Sequence, residues 1–176
     1  MRIFAAAALA LMASATPALA QDATFQGPRI EAVGGWDNIK SDGISASGFV
    51  YGGAAGYDLQ RGNLVVGVDG EITGTTTKKT FDLVTLKGGR DLYAGARIGY
   101  VVAPATLLYG KVGYDNSRVI ARSGNLRDAE NLDGIRLGAG VERSFGHYYG
   151  KVEYRYTNAS QDVVRHQVLA GIGYRF

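Results

Sequence analysis

The sequence contains no cysteine and only 3 prolines among its 176 residues. The absence of cysteine excludes disulfide bonds and any metal site with thiolate ligands. After residue 20, no apolar run approaches the ~18 residues that a membrane-spanning helix needs. No segment in that region repeats its apolar residues with the 3.6-residue period of an amphipathic helix. The formal net charge of +3 is too small to indicate a nucleic-acid partner.

The first twenty residues have the composition of a secretory signal peptide. Arg2 supplies a positive charge, residues 3–12 are rich in alanine and leucine, and Ala18-Leu19-Ala20 fits the cleavage pattern of two small residues separated by one position. We therefore predict a signal peptide at residues 1–20, a short N-terminal segment at residues 21–27 and a single folded domain at residues 28–176.

From residue 28 onward, apolar and polar residues alternate. A period of two residues is typical of a β-strand with two unlike faces. The clearest case is the last stretch, in which every second residue from Val168 to Phe176 is apolar or aromatic. The alternation predicts eight strands, at residues 29–37, 49–58, 63–73, 91–100, 107–115, 134–142, 148–157 and 165–176.

One face of these predicted strands carries no Asp, Glu, Lys or Arg, whereas the opposite face carries many. The charged face holds sixteen such residues in equal numbers of acids and bases: Arg29, Glu31, Asp58, Asp69, Glu71, Asp91, Arg97, Lys111, Asp115, Arg136, Glu142, Lys151, Glu153, Arg155, Arg165 and Arg175. In a soluble barrel or sandwich the uncharged face is the core. In a membrane barrel the uncharged face meets lipid and the charged face lines the interior.

Three features favour the membrane barrel. The first is that aromatic residues of the uncharged face gather near strand ends, as in interfacial girdles. One end has Tyr57, Tyr100, Tyr148, Tyr174 and Phe176, and the other has Trp36, Phe49, Tyr114 and Tyr156. The second is that glycines recur beside tyrosines and charges on the charged face, which suits a narrow interior. The third is that short connections (58–63, 101–106 and 142–147) alternate with mostly longer polar ones (38–48, 74–90, 116–133 and 158–164).

A soluble lipocalin-like barrel is the alternative fold. Gly34-Gly35-Trp36 matches the G-x-W that opens lipocalins. That fold would place the uncharged face inside, around a ligand, and all sixteen charges outside. The two interpretations are therefore distinguished by which face of the strands is buried.

The chain resembles the small outer-membrane barrels of the OmpA-like and opacity-type surface protein superfamily, also called porin-family barrels. The residues that carry the resemblance are Asn63–Glu71, Tyr93–Tyr100, Leu108–Tyr114 and the terminal strand Arg165–Phe176. The resemblance implies an all-β fold: an eight-stranded antiparallel up-and-down transmembrane β-barrel in the outer membrane, with residues 21–27 in the periplasm. It further implies contact with lipid and lipopolysaccharide, and no cofactor. It also implies a C-terminal signal for the barrel assembly machinery, formed by Val168, Ala170, Ile172, Tyr174 and Phe176.

Ten charges are expected to pair across the interior, because an unpaired buried charge costs several kcal/mol. They are Glu31, Asp69, Glu71, Glu142 and Glu153 as acids, and Arg97, Lys111, Arg136, Lys151 and Arg155 as bases. Such pairing predicts a plugged barrel with a structural or surface-exposed, adhesin-like role, whose outer loops could bind a host or matrix ligand. The alternative is a narrow or gated channel for small solutes.

An enzymatic role is the minor alternative. Some barrels of this type hydrolyse lipid A with a neighbouring histidine and serine. Here His166 and Ser160 come close in sequence, but the His-x-Ser pattern is absent, so we predict no catalytic site. The only other histidine, His147, is too far along the chain from His166 to indicate a metal site, and we predict no cofactor site. Basic residues of the predicted outer loops could pair with lipopolysaccharide phosphates, or the loops could simply be solvated. These residues are Lys78, Lys79, Lys87, Arg90, Arg118, Arg122 and Arg127.

Overall fold

The computed structural model describes residues 24–41, 44–76, 78–81, 84–123, 126–159 and 163–176. The predicted signal peptide, residues 1–20, lies outside them. The described chain forms nine strands: β1 (Gly27–Ser41), β2 (Ile44–Arg61), β3 (Leu64–Thr75), β4 (Lys78–Phe81), β5 (Val84–Ala103), β6 (Thr106–Ser123), β7 (Leu126–Phe145), β8 (Tyr148–Ala159) and β9 (Val163–Arg175). Within the described ranges, no helix is long and apolar enough to cross a bilayer.

Eight of the strands close into an antiparallel barrel. Each pairs with its neighbour along the chain, β3 pairs with β5, and β9 returns to pair with β1. The closing seam runs from Arg29 opposite Arg175 to Lys40 opposite Val164. The short β4 adds to one end of β5. The predicted eight-stranded up-and-down barrel is confirmed.

The two ends of the barrel differ. At one, here called the terminal end, the first described residues, from residue 24, and the C-terminal Phe176 lie beside three two-residue turns that join β2 to β3, β5 to β6 and β7 to β8. Gly62 and Gly146 adopt positive φ in two of these turns, a conformation that glycine tolerates without steric strain. In the third turn Ala105 has a φ of 60° and follows Pro104, as in a type II turn. The opposite end is here called the distal end.

The predicted long loops at the distal end are largely wrong. β1 and β2 continue until Ser41 pairs with Ile44, so most of residues 38–48 is strand. β5, β6 and β7 likewise extend through much of residues 74–90 and 116–133. Their backbone groups pair with the neighbouring strand, which requires no apolar face. The apolar alternation that marks the other strand segments therefore fades where a strand continues beyond the apolar band.

In each of the eight predicted strand segments, the charged face points into the barrel and the uncharged face points outward. Arg136 and Glu142 are fully buried, whereas Ile172 on the outer surface is 73% exposed. A lipocalin-like arrangement requires the reverse, so the structure excludes it. Glycines make room for large inward side chains, as predicted. A Cβ on Gly140 would lie 2.7 Å from the Tyr109 hydroxyl oxygen, and one on Gly173 would overlap the Tyr149 ring.

Candidate functional site

The barrel interior is the largest concentration of chemically active side chains in the described part of the chain. Seventeen charged residues are buried there, nine acids and eight bases. They are the sixteen residues of the predicted charged face together with Asp37. Asp37 was missed although it lies at the same odd-numbered positions of β1 as Arg29 and Glu31.

A compact ion-pair cluster occupies the terminal half of the interior. Asp58 accepts hydrogen bonds from Arg29 at 3.0 Å, from Arg97 at 2.5 and 2.8 Å, and from Arg175 at 2.9 Å. Glu142 accepts from Arg97 and from Arg175, each at 2.9 Å. Two carboxylates are thus held by three guanidinium groups contributed by three strands, β1, β5 and β9. Only Arg97 and Glu142 of these five belong to the ten residues predicted to pair.

Glu153 is the centre of a second cluster at mid-height. Its carboxylate lies 3.2 Å from the Nζ atoms of both Lys111 and Lys151. It also accepts a hydrogen bond from Arg155 and one from the Tyr109 hydroxyl at 2.6 Å. Three bases from β6 and β8 therefore share this carboxylate, and every one of these side chains is buried.

Glu31 joins the two clusters. Its carboxylate lies 3.4 Å from Arg29 on one side and 2.5 Å from Lys151 on the other. Further contacts continue toward the distal end: Lys111 to Asp69 at 3.2 Å, Lys111 to Glu71, Arg155 to Glu71 at 2.8 Å, Arg136 to Glu71 at 3.6 Å and Arg136 to Asp115 at 2.5 Å. The structure thus brings all ten predicted residues into one ion-pair chain, from Arg175 to Asp115.

A separate ion-pair group lies nearer the distal end. Arg165 donates to both oxygens of Asp37, at 2.6 and 2.7 Å, and also to Asp91. The apolar side chains of Val50 and Leu169, with Val33, form a small buried cluster. Within the described residues no ion pair joins this group to the ion-pair chain that runs from Arg175 to Asp115.

The terminal mouth of the barrel is occupied by Phe25, which precedes β1 and is fully buried. Its ring packs with Val65, Leu107 and Tyr109, and the guanidinium of Arg175 lies 5.4 Å from its centroid. The Phe25 backbone N–H donates to the Gln60 side chain at 2.8 Å. Residues 21–27 were predicted as a short N-terminal segment; their described part enters the barrel mouth.

The predicted girdle residues all lie on the outer surface. Those near the terminal end are Tyr57, Tyr100, Tyr148, Tyr174 and Phe176, and those toward the distal end are Trp36, Phe49, Tyr114 and Tyr156. Tyr174 forms edge-to-face contacts with Tyr148 at 5.3 Å and with Phe176 at 5.0 Å. Along β9, Val168, Ala170 and Ile172 are exposed on the same outer face. Tyr51, Phe145 and Tyr154 are further exposed aromatics that the prediction did not assign to a girdle.

The surface histidine considered for catalysis has aromatic neighbours. His166 Nδ1 forms a hydrogen bond with the Tyr154 hydroxyl at 2.6 Å, and the Tyr156 ring stands edge-on at 5.4 Å. Ser160, the other residue considered, lies outside the described residues. Across the described ranges, no three His, Asp or Glu side chains are grouped so that they could hold a metal ion.

Comparison with known sequences identifies the barrel. Residues 6–176 match the family described as outer membrane protein beta-barrel domain. The chain is 30% identical over 146 residues to the 25 kDa outer-membrane immunogenic protein of Brucella ovis, a match that covers 81% of this chain and 72% of that protein. It is also 30% identical over 158 residues to the protein of the same name from Brucella melitensis, covering 81% of this chain and 74% of the relative.

Solved structures share the fold at lower sequence identity. Neisserial surface protein A (NspA) superposes with a TM-score of 0.68 at 19% identity, covering 85% of this chain and 97% of that one. Ail, the attachment invasion locus protein of Yersinia pestis, gives a TM-score of 0.63 at 20% identity, covering 86% and 99%. An apolar outer surface, a charged interior and these matches agree in locating the barrel in the outer membrane. The chain therefore belongs to the outer membrane protein beta-barrel domain family.

Proposed function

We propose that the protein is a structural and surface-exposed barrel of the outer membrane whose interior is closed to solutes. The observation that carries the proposal is the continuous ion-pair chain from Arg175 to Asp115. An eight-stranded barrel has an interior just wide enough for side chains to fill. Breaking a buried ion pair by removing one partner costs about 3–5 kcal/mol. Opening a solute path through the interior would require several ion pairs to break at once. The buried Phe25 side chain additionally blocks the terminal mouth of the barrel.

The terminal end is assigned to the periplasm and the distal end to the cell exterior, because outer-membrane barrels have short periplasmic turns. β5 and β7 have 20 residues each. At ~3.4 Å per residue and a tilt of about 40°, they rise about 50 Å, twice the ~25 Å height of the apolar band. β3 and β8, with 12 residues each, rise only about 30 Å. The distal part of β5–β7 would therefore stand outside the cell as a wall.

This wall supports a more specific proposal, that the surface-exposed barrel has an adhesin-like role. Ail, the neighbour described as an attachment invasion locus protein, has also been solved in complex with the heparin analogue sucrose octasulfate. The present chain shares its fold, and the extended strands would offer a surface to a host or matrix ligand. The relatives named by the comparisons are immunogenic and surface proteins of the outer membrane, and none is named as an enzyme. We accordingly propose no catalytic activity.

The channel alternative is tested by conductance. Purified refolded protein in a planar lipid bilayer is expected to show no reproducible single-channel steps, because the paired charges leave no hydrated path. An established small porin in the same bilayer is the positive control. Uniform, reproducible steps that scale with protein concentration would replace the closed barrel by the narrow or gated channel.

The C-terminal residues Val168, Ala170, Ile172, Tyr174 and Phe176 are proposed to be read by the barrel assembly machinery. Phe176 is 64% exposed, and its backbone N–H donates to the Pro28 carbonyl at 3.0 Å. Its ring contributes little to packing beyond the contact with Tyr174. A role in recognition during assembly would explain an aromatic at this position better than its few contacts in the finished barrel.

Deleting Phe176 is therefore expected to slow assembly several-fold while lowering the free energy of unfolding by about 1 kcal/mol or less, as for other surface changes. Assembly is followed in cells as conversion to the heat-modifiable folded band on SDS gels, and stability by urea titration in vesicles. Phe145→Ala is the matched control, because Phe145 is an equally exposed aromatic at the same end (63%). Equal assembly rates for the deletion and this control would refute the recognition role.

A further inference from the structure

Two arginines stand side by side on the outer surface near the distal end. β5 and β6 pair Gly88 with Val119 and then Asp91 with Ser117, with a register shift between these pairs. Gly89 and Arg90 therefore lie opposite the single residue Arg118. Such a β-bulge re-aims side chains and places two residues of one strand against one of the other. Both Arg90 and Arg118 are exposed, on the same face as the outward-pointing Tyr114.

The glycine of the bulge is required by the close approach of β6. A Cβ on Gly89 would lie 2.6 Å from the Arg118 carbonyl oxygen and 3.4 Å from the Arg118 Cβ atom. On its other side, Arg90 is paired with Gly74 of β3, and the ring of Tyr51 lies over that glycine, with its hydroxyl oxygen 3.6 Å from where a Cβ would stand. The two arginine side chains thus project from the sheet beside an exposed tyrosine.

Like charges directly opposite each other on neighbouring strands are destabilising, so this pair needs an anion. Neither arginine has an ion-pair partner among the residues whose side chains the structure describes. A nearby acid on the same outer face, Asp133, accepts a hydrogen bond from Asn116 at 2.6 Å. The arrangement is that of a two-arginine anion site open to the exterior.

The height of the pair indicates which anion it meets. Arg118 lies twelve residues beyond Thr106, the first residue of β6. At ~3.4 Å per residue and a tilt of about 40°, that distance is about 30 Å along the membrane normal. The apolar band of an outer-membrane barrel is ~25 Å tall. The guanidinium groups therefore lie just above the outer edge of the hydrocarbon, at the level of the headgroups.

We propose that Arg90 and Arg118 form a binding site for a phosphate group of lipopolysaccharide in the outer leaflet. Guanidinium groups bind phosphate through two parallel N–H···O bonds, and two arginines surrounding one phosphate satisfy both charges. The acyl chains of the lipid would lie against the apolar outer surface below, beside Tyr114. The site is on the outer face of the barrel and is independent of whether the interior conducts.

The test measures the affinity of the full refolded barrel, in neutral detergent micelles, for bisphosphorylated lipid A by native mass spectrometry. The double variant Arg90→Gln/Arg118→Gln is expected to bind at least tenfold more weakly than the wild type, since one charge-assisted hydrogen bond corresponds to about tenfold in affinity. Arg90→Lys/Arg118→Lys keeps the charge without the bidentate geometry and is expected to be intermediate. The matched control is Arg61→Gln/Arg143→Gln, which removes two exposed arginines near the terminal end and should bind as the wild type does.

The source of the phosphate is distinguished by two further probes. Enzymatically dephosphorylated lipid A is expected to bind the wild type and the Arg90→Gln/Arg118→Gln variant equally, and millimolar inorganic phosphate is expected to leave lipid A bound. Equal affinity of wild type and variant for bisphosphorylated lipid A would overturn the proposal, as would displacement of lipid A by inorganic phosphate. If the variant instead loses binding to a heparin fragment and keeps lipid A, the arginines serve a glycan partner and the lipid assignment is wrong.

Discussion

Glu153→Gln is expected to lower the free energy of unfolding by about 3–5 kcal/mol, the magnitude seen when one partner of a buried ion pair is removed. Glutamine keeps the shape of the side chain and can still accept the hydrogen bond from the Tyr109 hydroxyl. It cannot supply the negative charge that Lys111, Lys151 and Arg155 share. Lys111 and Arg155 would keep their contacts with Glu71, and Lys151 its contact with Glu31, but the three buried bases would share one negative charge fewer.

The measurement is urea unfolding of the refolded protein in lipid vesicles. Trp36 is the only tryptophan of the sequence and is 60% exposed on the outer surface, so its fluorescence reports the change from lipid to water. The control Arg61→Gln removes an exposed charge at a turn and is expected to change stability by no more than about 0.5 kcal/mol. An unchanged urea midpoint for Glu153→Gln would mean that water, and not the ion-pair chain, fills the interior.

A double-mutant cycle with Lys151→Met separates the pair from its surroundings. Lys151 lies between Glu31 and Glu153, at 2.5 and 3.2 Å. Contacting residues in one network show interaction energies of about 0.5–3 kcal/mol. The loss in free energy of unfolding of the double variant is therefore expected to be smaller than the sum of the losses of the two single variants. The reason is that Lys151→Met removes one of the buried positive charges that Glu153→Gln leaves without its carboxylate.

Phe25→Ala is expected to cost about 3–5 kcal/mol, the range for truncating a buried phenylalanine. The ring is fully buried against Val65, Leu107 and Tyr109 at the terminal mouth. Its loss leaves a cavity that the surrounding strands cannot collapse into, because backbone pairing fixes their positions. The cation–π contact with Arg175 would also be lost.

The same urea titration measures this effect, with Phe145→Ala as the control, since Phe145 is exposed at the same end of the barrel. A similar midpoint for both variants would show that the buried position of Phe25 contributes nothing to stability. Conductance supplies a second readout. Phe25→Ala is expected to remain non-conducting, because the ion-pair chain still fills the interior between the terminal mouth and the distal end. Channel steps in this variant alone would make Phe25 the principal barrier.

The interior and exterior residues were predictable because a two-residue period assigns every strand residue to a face. All sixteen charges on one parity lie inside the barrel, and the tyrosine–glycine spacing correctly indicated a crowded interior. Asp37 has the same parity within the predicted strand 29–37, so the two-residue period places it inside as well, although the predicted set left it out. Residues 38–48, 74–90 and 116–133 were misassigned for a different reason. Alternation reports a contrast between two environments, and a strand that leaves the apolar band has water on its outer face, so its outward residues need not be apolar.

Residue patterns along the chain were sufficient to predict eight strands, a charged interior and an apolar exterior, because each depends on local alternation and composition. The location in the outer membrane was implied by the resemblance to known outer-membrane barrels. The partners of each charge depend on register and barrel closure, which bring β1 against β9 and Arg97 to Asp58 across the interior. Closure also carries Phe25 into the mouth, and a single bulge brings Arg90 beside Arg118. The contacts between different strands join residues distant in sequence, so only the closed three-dimensional arrangement of strands reveals them.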